Sequence, residues 1–134
     1  MPVITTEMRE MLGAQLPILA TVTDPSTPNI GPKRSLRVLD DTHLIFNENT
    51  GGQHLANIKA GSRLAVAVID REALDGYRFI GTAELFNEGP AWDNAVSFAK
   101  ENGMGTPKHA VVISVEEIYS LRSGAKAGTR IDEK

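Results

Sequence analysis

Lys33, Arg34 and Arg37 place three cations within five residues, in the run Lys33-Arg34-Ser35-Leu36-Arg37. The apolar flanks predict that this run lies on one strand. Alternation then puts Arg34 on the same face as Leu36 and Val38, which read as core positions. An arginine on a core face must be paired or must line a site. Cations along an edge strand also discourage aggregation, and the spacing leaves both readings open. A second run, Asn47-Glu48-Asn49-Thr50-Gly51-Gly52-Gln53-His54, sets two adjacent glycines ahead of a short helix. Backbone N–H groups and the helix dipole there can face an anion. Thr50, Gln53 and His54 can add side-chain donors to phosphate oxygens. Taken alone, a Gly-Gly pair reads better as a plain turn. Neither Walker spacing nor G-x-G-x-x-G is present, which excludes a P-loop or a Rossmann fingerprint.

Other chemistry-bearing residues are poorer candidates. The three histidines, His43, His54 and His109, are scattered with no i, i+4 pair, so no metal site is expected. There is no cysteine, which removes disulfides, thiolate ligands and a cysteine nucleophile. No serine stands in a nucleophile-elbow context. Glu116-Glu117 sits within a strand and reads as a surface pair, and Trp92 as a core residue of a helix. The formal net charge of −3 gives no basic field for nucleic acid. The N-terminus lacks the basic and apolar regions of a signal peptide, and no apolar run is long enough to span a bilayer. A soluble, cytoplasmic protein is expected.

These candidates must be positioned by a predominantly β framework. The 134 residues suit one domain, 1–134. Met8, Met11, Leu12 and Leu16 recur at helical spacing, which predicts a helix over residues 5–16, capped by Thr5 or Thr6 and stopped by Pro17. Strands are predicted over 18–23, 30–40 and 43–47, with a turn over 24–29. A helix follows over 53–59, with Leu55 and Ile58 inward and Gly61 at its end. The stretch 63–70 is nearly continuously apolar and reads as a central strand covered on both faces. The next strand spans 77–87, where Gly81 marks a bulge or a close approach. Pro90 opens the last helix, with Trp92, Ala95, Val96 and Ala99 on its apolar face. A strand over 110–121 and a Gly- and Ala-rich tail complete the chain. Six strands with three short helices favour a barrel over a doubly wound sheet.

The ordered set PNIGPKRSLRVLDDTHLIFNENTGGQHLANI, SRLAVAVID and YRFIGTAELFNEGP resembles the pyridoxamine 5′-phosphate oxidase-like FMN-binding split-barrel family, in particular its small bacterial FMN-binding members. No single motif decides this, and the order and spacing of the pieces carry it. The resemblance implies a mainly β fold, a six-stranded antiparallel split barrel. It also implies a homodimer with FMN at the interface. The segment matching Lys33, Arg34, Ser35 and Leu36 would run beside the isoalloxazine and ribityl chain. The segment matching Asn49, Thr50, Gly51, Gly52, Gln53 and His54 would hold the phosphate. Lys33 or Arg34 near the pyrimidine edge would stabilise the reduced flavin. The tail over 122–128 would reach the partner's flavin or else fray.

The chain departs from the pattern at Gln53 and His54, where many members carry Ser and Lys or Arg. Phosphate charge would then rest on Lys33, Arg34 and backbone N–H groups, and His54 would make binding sensitive to pH. The chain is also short for a true pyridoxamine phosphate oxidase and lacks an extended Arg-rich C-terminal segment. The implied function is an oxidoreductase or electron-transfer flavoprotein, with NAD(P)H or a redox protein as partner. The alternatives are a non-enzymatic flavin carrier, a relative that binds deazaflavin or haem, and a barrel that has lost its ligand.

Overall fold

The computed structural model describes residues 2–23 and 27–131. Its elements run α1 (Thr6–Ala14), β1 (Ile18–Thr23), β2 (Thr27–Pro32), β3 (Arg37–Asp40), β4 (His43–Glu48), α2 (Gln53–Lys59), β5 (Leu64–Asp70), β6 (Asp75–Phe86), α3 (Pro90–Glu101) and β7 (His109–Ser120). All strand pairs are antiparallel, in the order β2-β1-β5-β6-β7-β4-β3. The two outermost strands, β2 and β3, are consecutive in the chain and are joined by residues 33–36 alone. A flat sheet of this width would hold its edges roughly 29 Å apart, whereas the connection reaches roughly 18 Å fully extended. The sheet must therefore curl on itself. The barrel is split between β2 and β3, and the first candidate segment is the tie across that split.

This tie is where the structure departs from the sequence pattern. The strand predicted over 30–40 is broken, so the described residues form seven strands and not six. The Leu36 N–H bonds back to the Lys33 carbonyl at 3.1 Å, which makes residues 33–36 a turn. The turn drops Leu36 into the core at 2% exposure and leaves Arg34 exposed at its second position. Arg34 is thus not on a core face, because the alternation that placed it there stops at Pro32. Strand β2 already begins at Thr27, inside the turn predicted over 24–29; residues 24–26 of that turn lie outside the described residues.

The inner face of the sheet holds the main core. Leu19, Leu44, Phe46, Val66, Val68, Phe79, Val111, Ile113 and Val115 alternate inward from five strands, and α1 adds Met8 and Leu12. Helix α1 starts at a reciprocal cap. The Thr5 hydroxyl accepts from the Met8 N–H at 3.3 Å, and the Met8 sulfur accepts from the Thr5 N–H at 3.5 Å. Part of the outer face is covered by α3, whose Ala95 packs on Ile45 and Ala110. Ala95 and Ala99 are buried, while Trp92 and Val96 are only half-buried.

The rest of the outer face is bare. Strand β5 buries Leu64, Val66 and Val68, but its other side, with Ala65, Ala67 and Ile69, stays partly or fully open. Within one chain only the inner face of β5 is covered, and small alanines hid the alternation. Register aligns Ile30, Ala20, Ala65 and Ile80 in one apolar row across four strands, with Ile30 71% exposed.

The β6–β7 pairing shifts register between Ile80 and Gly81. A Cβ on Gly81 would lie 2.1 Å from the Ser114 carbonyl oxygen, an atom that cannot move without moving β7. Gly81→Ala should therefore destabilise the protein by roughly 2–3 kcal/mol, read as a lower urea midpoint. An unchanged midpoint would show that the backbones separate freely there.

The tail is folded, not frayed. Beyond β7, the Gly128 N–H donates to the Ser120 carbonyl at 2.7 Å, the Ser120 N–H donates to the Thr129 carbonyl at 2.9 Å, and the Ile131 N–H reaches the Ile118 carbonyl at 2.9 Å. The chain turns over residues 124–127 and returns along its own β7.

Candidate functional site

The end of β4 carries Glu48 into the interior with no exposed surface. Its Oε1 meets the Lys33 ammonium at 2.9 Å. Its Oε2 accepts from the Gly51 N–H at 2.8 Å and the Thr50 hydroxyl at 3.1 Å. One buried carboxylate thus pulls the turn at 33–36 and the glycine loop into a single site. Burial pushes the Glu48 carboxyl up, but the bonds from Lys33, Gly51 and Thr50 outweigh it and hold the group below its ordinary range. Glu48 is charged at neutral pH. Lys33 is its counterion and also lies 5.1 Å from the Phe46 ring centre.

Most of the other candidates are likewise engaged by the protein itself. The Ser35 hydroxyl accepts from the Asn47 N–H at 2.9 Å and lies 3.3 Å from the Asn47 carbonyl. Arg37 braces the same turn from outside. It donates to the Ser35 carbonyl at 2.6 Å and to Asn94 Oδ1 at 2.6 Å, and it stacks on Phe98 at 3.7 Å. Burial draws the Arg37 guanidinium down to about 10, against the pull of Glu101. Gln53 donates to Asn57 Oδ1 at 2.7 Å and to Thr23 Oγ1 at 3.1 Å.

His54 turns its Nδ1 to Thr21 Oγ1 at 2.8 Å. Thr21 also accepts from Asn57 Nδ2 at 2.9 Å. The roles in the Thr21–His54 bond follow the imidazole tautomer, since the hydroxyl can donate to Nδ1 or accept from it. Burial, then the Lys33 charge, lowers the His54 pKa, and Glu48 only partly opposes them. Helix α2 is a single short element of seven residues. Charge at the loop must therefore come from side chains more than from its dipole.

Three groups at this junction are left free. Arg34 is exposed and makes no ion pair or side-chain hydrogen bond among the described residues. The Asn49 side-chain oxygen is buried without a partner. Lys108, just before β7, binds the Glu48 carbonyl through its N–H at 2.8 Å and sends its side chain over the glycine loop. Its ammonium lies 2.9 Å from where a Cβ on Gly51 would stand, and Gly51 has φ +67°. Nothing in the sequence marks Lys108, because it lies more than fifty residues beyond the loop and meets it only through the β4–β7 ladder. Two cations without ion pairs among the described residues and a glycine cradle that a side chain would fill suit an anionic group such as the FMN phosphate, while the orphan Asn49 oxygen would need a donor from the ligand.

A separate cavity of about 460 Å³ lies on the outer face beside α3, between Leu39, Phe86, Ala91 and Val112. No described helix is long and apolar enough to cross a membrane.

Residues 4–122 match the family described as pyridoxamine 5′-phosphate oxidase. The chain is 31% identical over 131 residues to the uncharacterised protein MJ0282 of Methanocaldococcus jannaschii, covering 96% of this chain and 87% of that protein. It is 48% identical to the crystal structure of HupZ from Group A Streptococcus, with a TM-score of 0.84 over 93% of this chain and 99% of that one. An FMN-binding protein of Syntrophomonas wolfei shares the fold at 19% identity, with a TM-score of 0.73 over 87% of this chain and 85% of that one.

Proposed function

The chain belongs to the pyridoxamine 5′-phosphate oxidase family, and on that premise we propose that it is an FMN-binding flavoprotein whose cofactor sits between two copies of the chain. The observation that carries this reading is the junction at Glu48. It joins the two segments that resemble the family's flavin-binding segments, and among the described residues it leaves Arg34 and the Asn49 oxygen without partners. Similarity in fold to the FMN-binding protein of Syntrophomonas wolfei supports it.

Bound FMN would supply hydride or electron transfer from a nicotinamide donor to an acceptor. The protein's part is to bind, orient and tune. With Lys33 neutralised by Glu48 and Arg37 turned towards α3, Arg34 is the cation of the first segment left to meet the flavin. Its guanidinium presents a planar fork of N–H donors to negative charge on the ligand. The Lys33–Glu48 pair serves as the rigid joint beneath it.

The second copy covers the bare apolar row Ile30, Ala20, Ala65 and Ile80. Pro28 and Pro32 on the edge strand β2 lack N–H groups and oppose edge-to-edge pairing. The copies therefore pack face to face. The folded tail lies along its own β7, so cover for the flavin comes from the partner's sheet face before it comes from the tail.

The deciding experiment is the visible spectrum of the protein purified without added cofactor, repeated after FMN is added and the excess removed. A retained flavin spectrum is expected, followed by NAD(P)H oxidation with an artificial acceptor. Protein that stays colourless in both cases would sink the proposal, and flavin retention without NAD(P)H turnover would favour a carrier. In the same assay Arg34→Ala should weaken FMN binding roughly 10- to 100-fold with an unchanged melting temperature, because Arg34 holds nothing else in place. Equal affinity would remove Arg34 from the site.

A further inference from the structure

We infer that Lys108, and not Lys33, is the cation that takes the anionic end of the ligand, an inference that rests on the flavin reading above only for the identity of that ligand. The glycine loop has two layers of charge. The inner layer is closed: the Glu48 carboxylate takes the Lys33 ammonium, the Gly51 N–H and the Thr50 hydroxyl, at 2.9, 2.8 and 3.1 Å. A phosphate that used those donors would have to displace a carboxylate with no exposed surface and leave it unpaired inside the barrel. The outer layer is open. The Lys108 ammonium rests against the Gly51 backbone and has no anionic partner among the described residues.

The backbone of Lys108 is pinned, and its exposed side chain reaches the loop from that fixed root. Its N–H donates to the Glu48 carbonyl at 2.8 Å, and the next residue, His109, pairs with Glu48 in the β4–β7 ladder. Glycine at position 51 is what allows the approach. A Cβ there would meet the Lys108 Nζ at 2.9 Å and Cδ at 3.3 Å. The Asn49 side-chain oxygen, two residues earlier in the same loop, is a buried acceptor without a partner and would need a donor from the ligand rather than its phosphate. The side chains of Gln53 and His54, at the start of α2, bond to Thr23, Asn57 and Thr21. Lys108 supplies from β7 the charge that α2 does not.

The test compares FMN with riboflavin, which has the same ring and no phosphate, on the full-length protein and on Lys108→Ala and Lys108→Arg. Lys108→Ala should lose roughly 10- to 100-fold in FMN affinity and nothing in riboflavin affinity. Lys108→Arg should recover most of the loss. FMN affinity that is unchanged, or lost equally for both ligands, overturns the inference. The thermal shift produced by inorganic phosphate separates it from the flavin reading. If the parent protein binds no flavin but phosphate stabilises it and Lys108→Ala abolishes that effect, the flavin reading falls and the anion site stands. If phosphate stabilises parent and variant alike, or neither, the site does not depend on Lys108.

Discussion

Lys33→Ala should cost the fold about 3–5 kcal/mol, well above the roughly 0–1 kcal/mol expected for an exposed ion pair. The reason is what it leaves behind. Glu48 has no exposed surface and only two other donors, the Gly51 N–H and the Thr50 hydroxyl. Without the ammonium, burial dominates and drives the carboxyl above its ordinary range, so the cost depends on pH. In the native protein the folded pKa lies below the ordinary 4.5. Its stabilisation is fully present above that value and is lost as the pH falls through the folded pKa. In the variant the folded pKa lies above the unfolded one. The carboxylate is then a penalty at neutral pH that disappears on acidification, so the gap between the two proteins should narrow.

Urea melts at about pH 7 and about pH 4.5 check this. A gap of equal size at both would show that the Glu48 charge is not its origin. Lys33→Met combined with Glu48→Gln should recover much of the loss, since removing both charges of a buried pair is far milder than removing one. Because Lys33 acts on stability and Lys108 on the ligand, the two lysines should separate cleanly in paired stability and binding assays.

The contrast between these lysines shows what the sequence could carry. Local signals were legible: the Thr5 cap, the helix over 53–59 with Leu55 and Ile58 inward, the last helix opening at Pro90, and the Gly81 contact. The cap and the two helices depend on neighbours a few residues away, whereas Gly81 was marked by its residue type alone and its contact, the Ser114 carbonyl, lies on β7. The break at 33–36 was not legible, because it follows from barrel closure, which draws β2 and β3 together from opposite ends of the sheet. The bare outer side of β5 was hidden because alanines at 65 and 67 count as apolar whether covered or not.

The site divides in the same way. The two segments were visible from their residue types, and the structure does join them. Which polar groups stay free within them was not visible. Glu48 reads in sequence as an acid at a strand end, and only the fold buries it. Ser35, Gln53 and His54 read in sequence as ligand donors, and the fold also engages them with Asn47, Asn57 and Thr21. Long-range pairing decides which donors remain, and period and spacing do not encode that pairing.

Ile30→Glu should raise the dissociation constant of the proposed dimer by roughly 100-fold or more, since a charge set into an apolar contact must be desolvated without a partner. Ile30 is 71% exposed on an edge strand, so the isolated fold should tolerate the change with an unaltered melting temperature. Any loss of association then reports on the interface alone. Its neighbours in register, Ala20, Ala65 and Ile80, have no acidic or basic side chain to receive the new carboxylate within the row. Sedimentation velocity, followed by measurement of FMN retained on the separated species, reads both consequences. Loss of dimer together with loss of FMN would show that one copy holds only part of the cofactor site. Dimer lost with FMN affinity intact would make the site complete within one barrel, built from Arg34, the glycine loop and Lys108 without help. A parent protein that sediments as a monomer, or a variant that remains a dimer, would place the interface elsewhere and leave the apolar row to another partner.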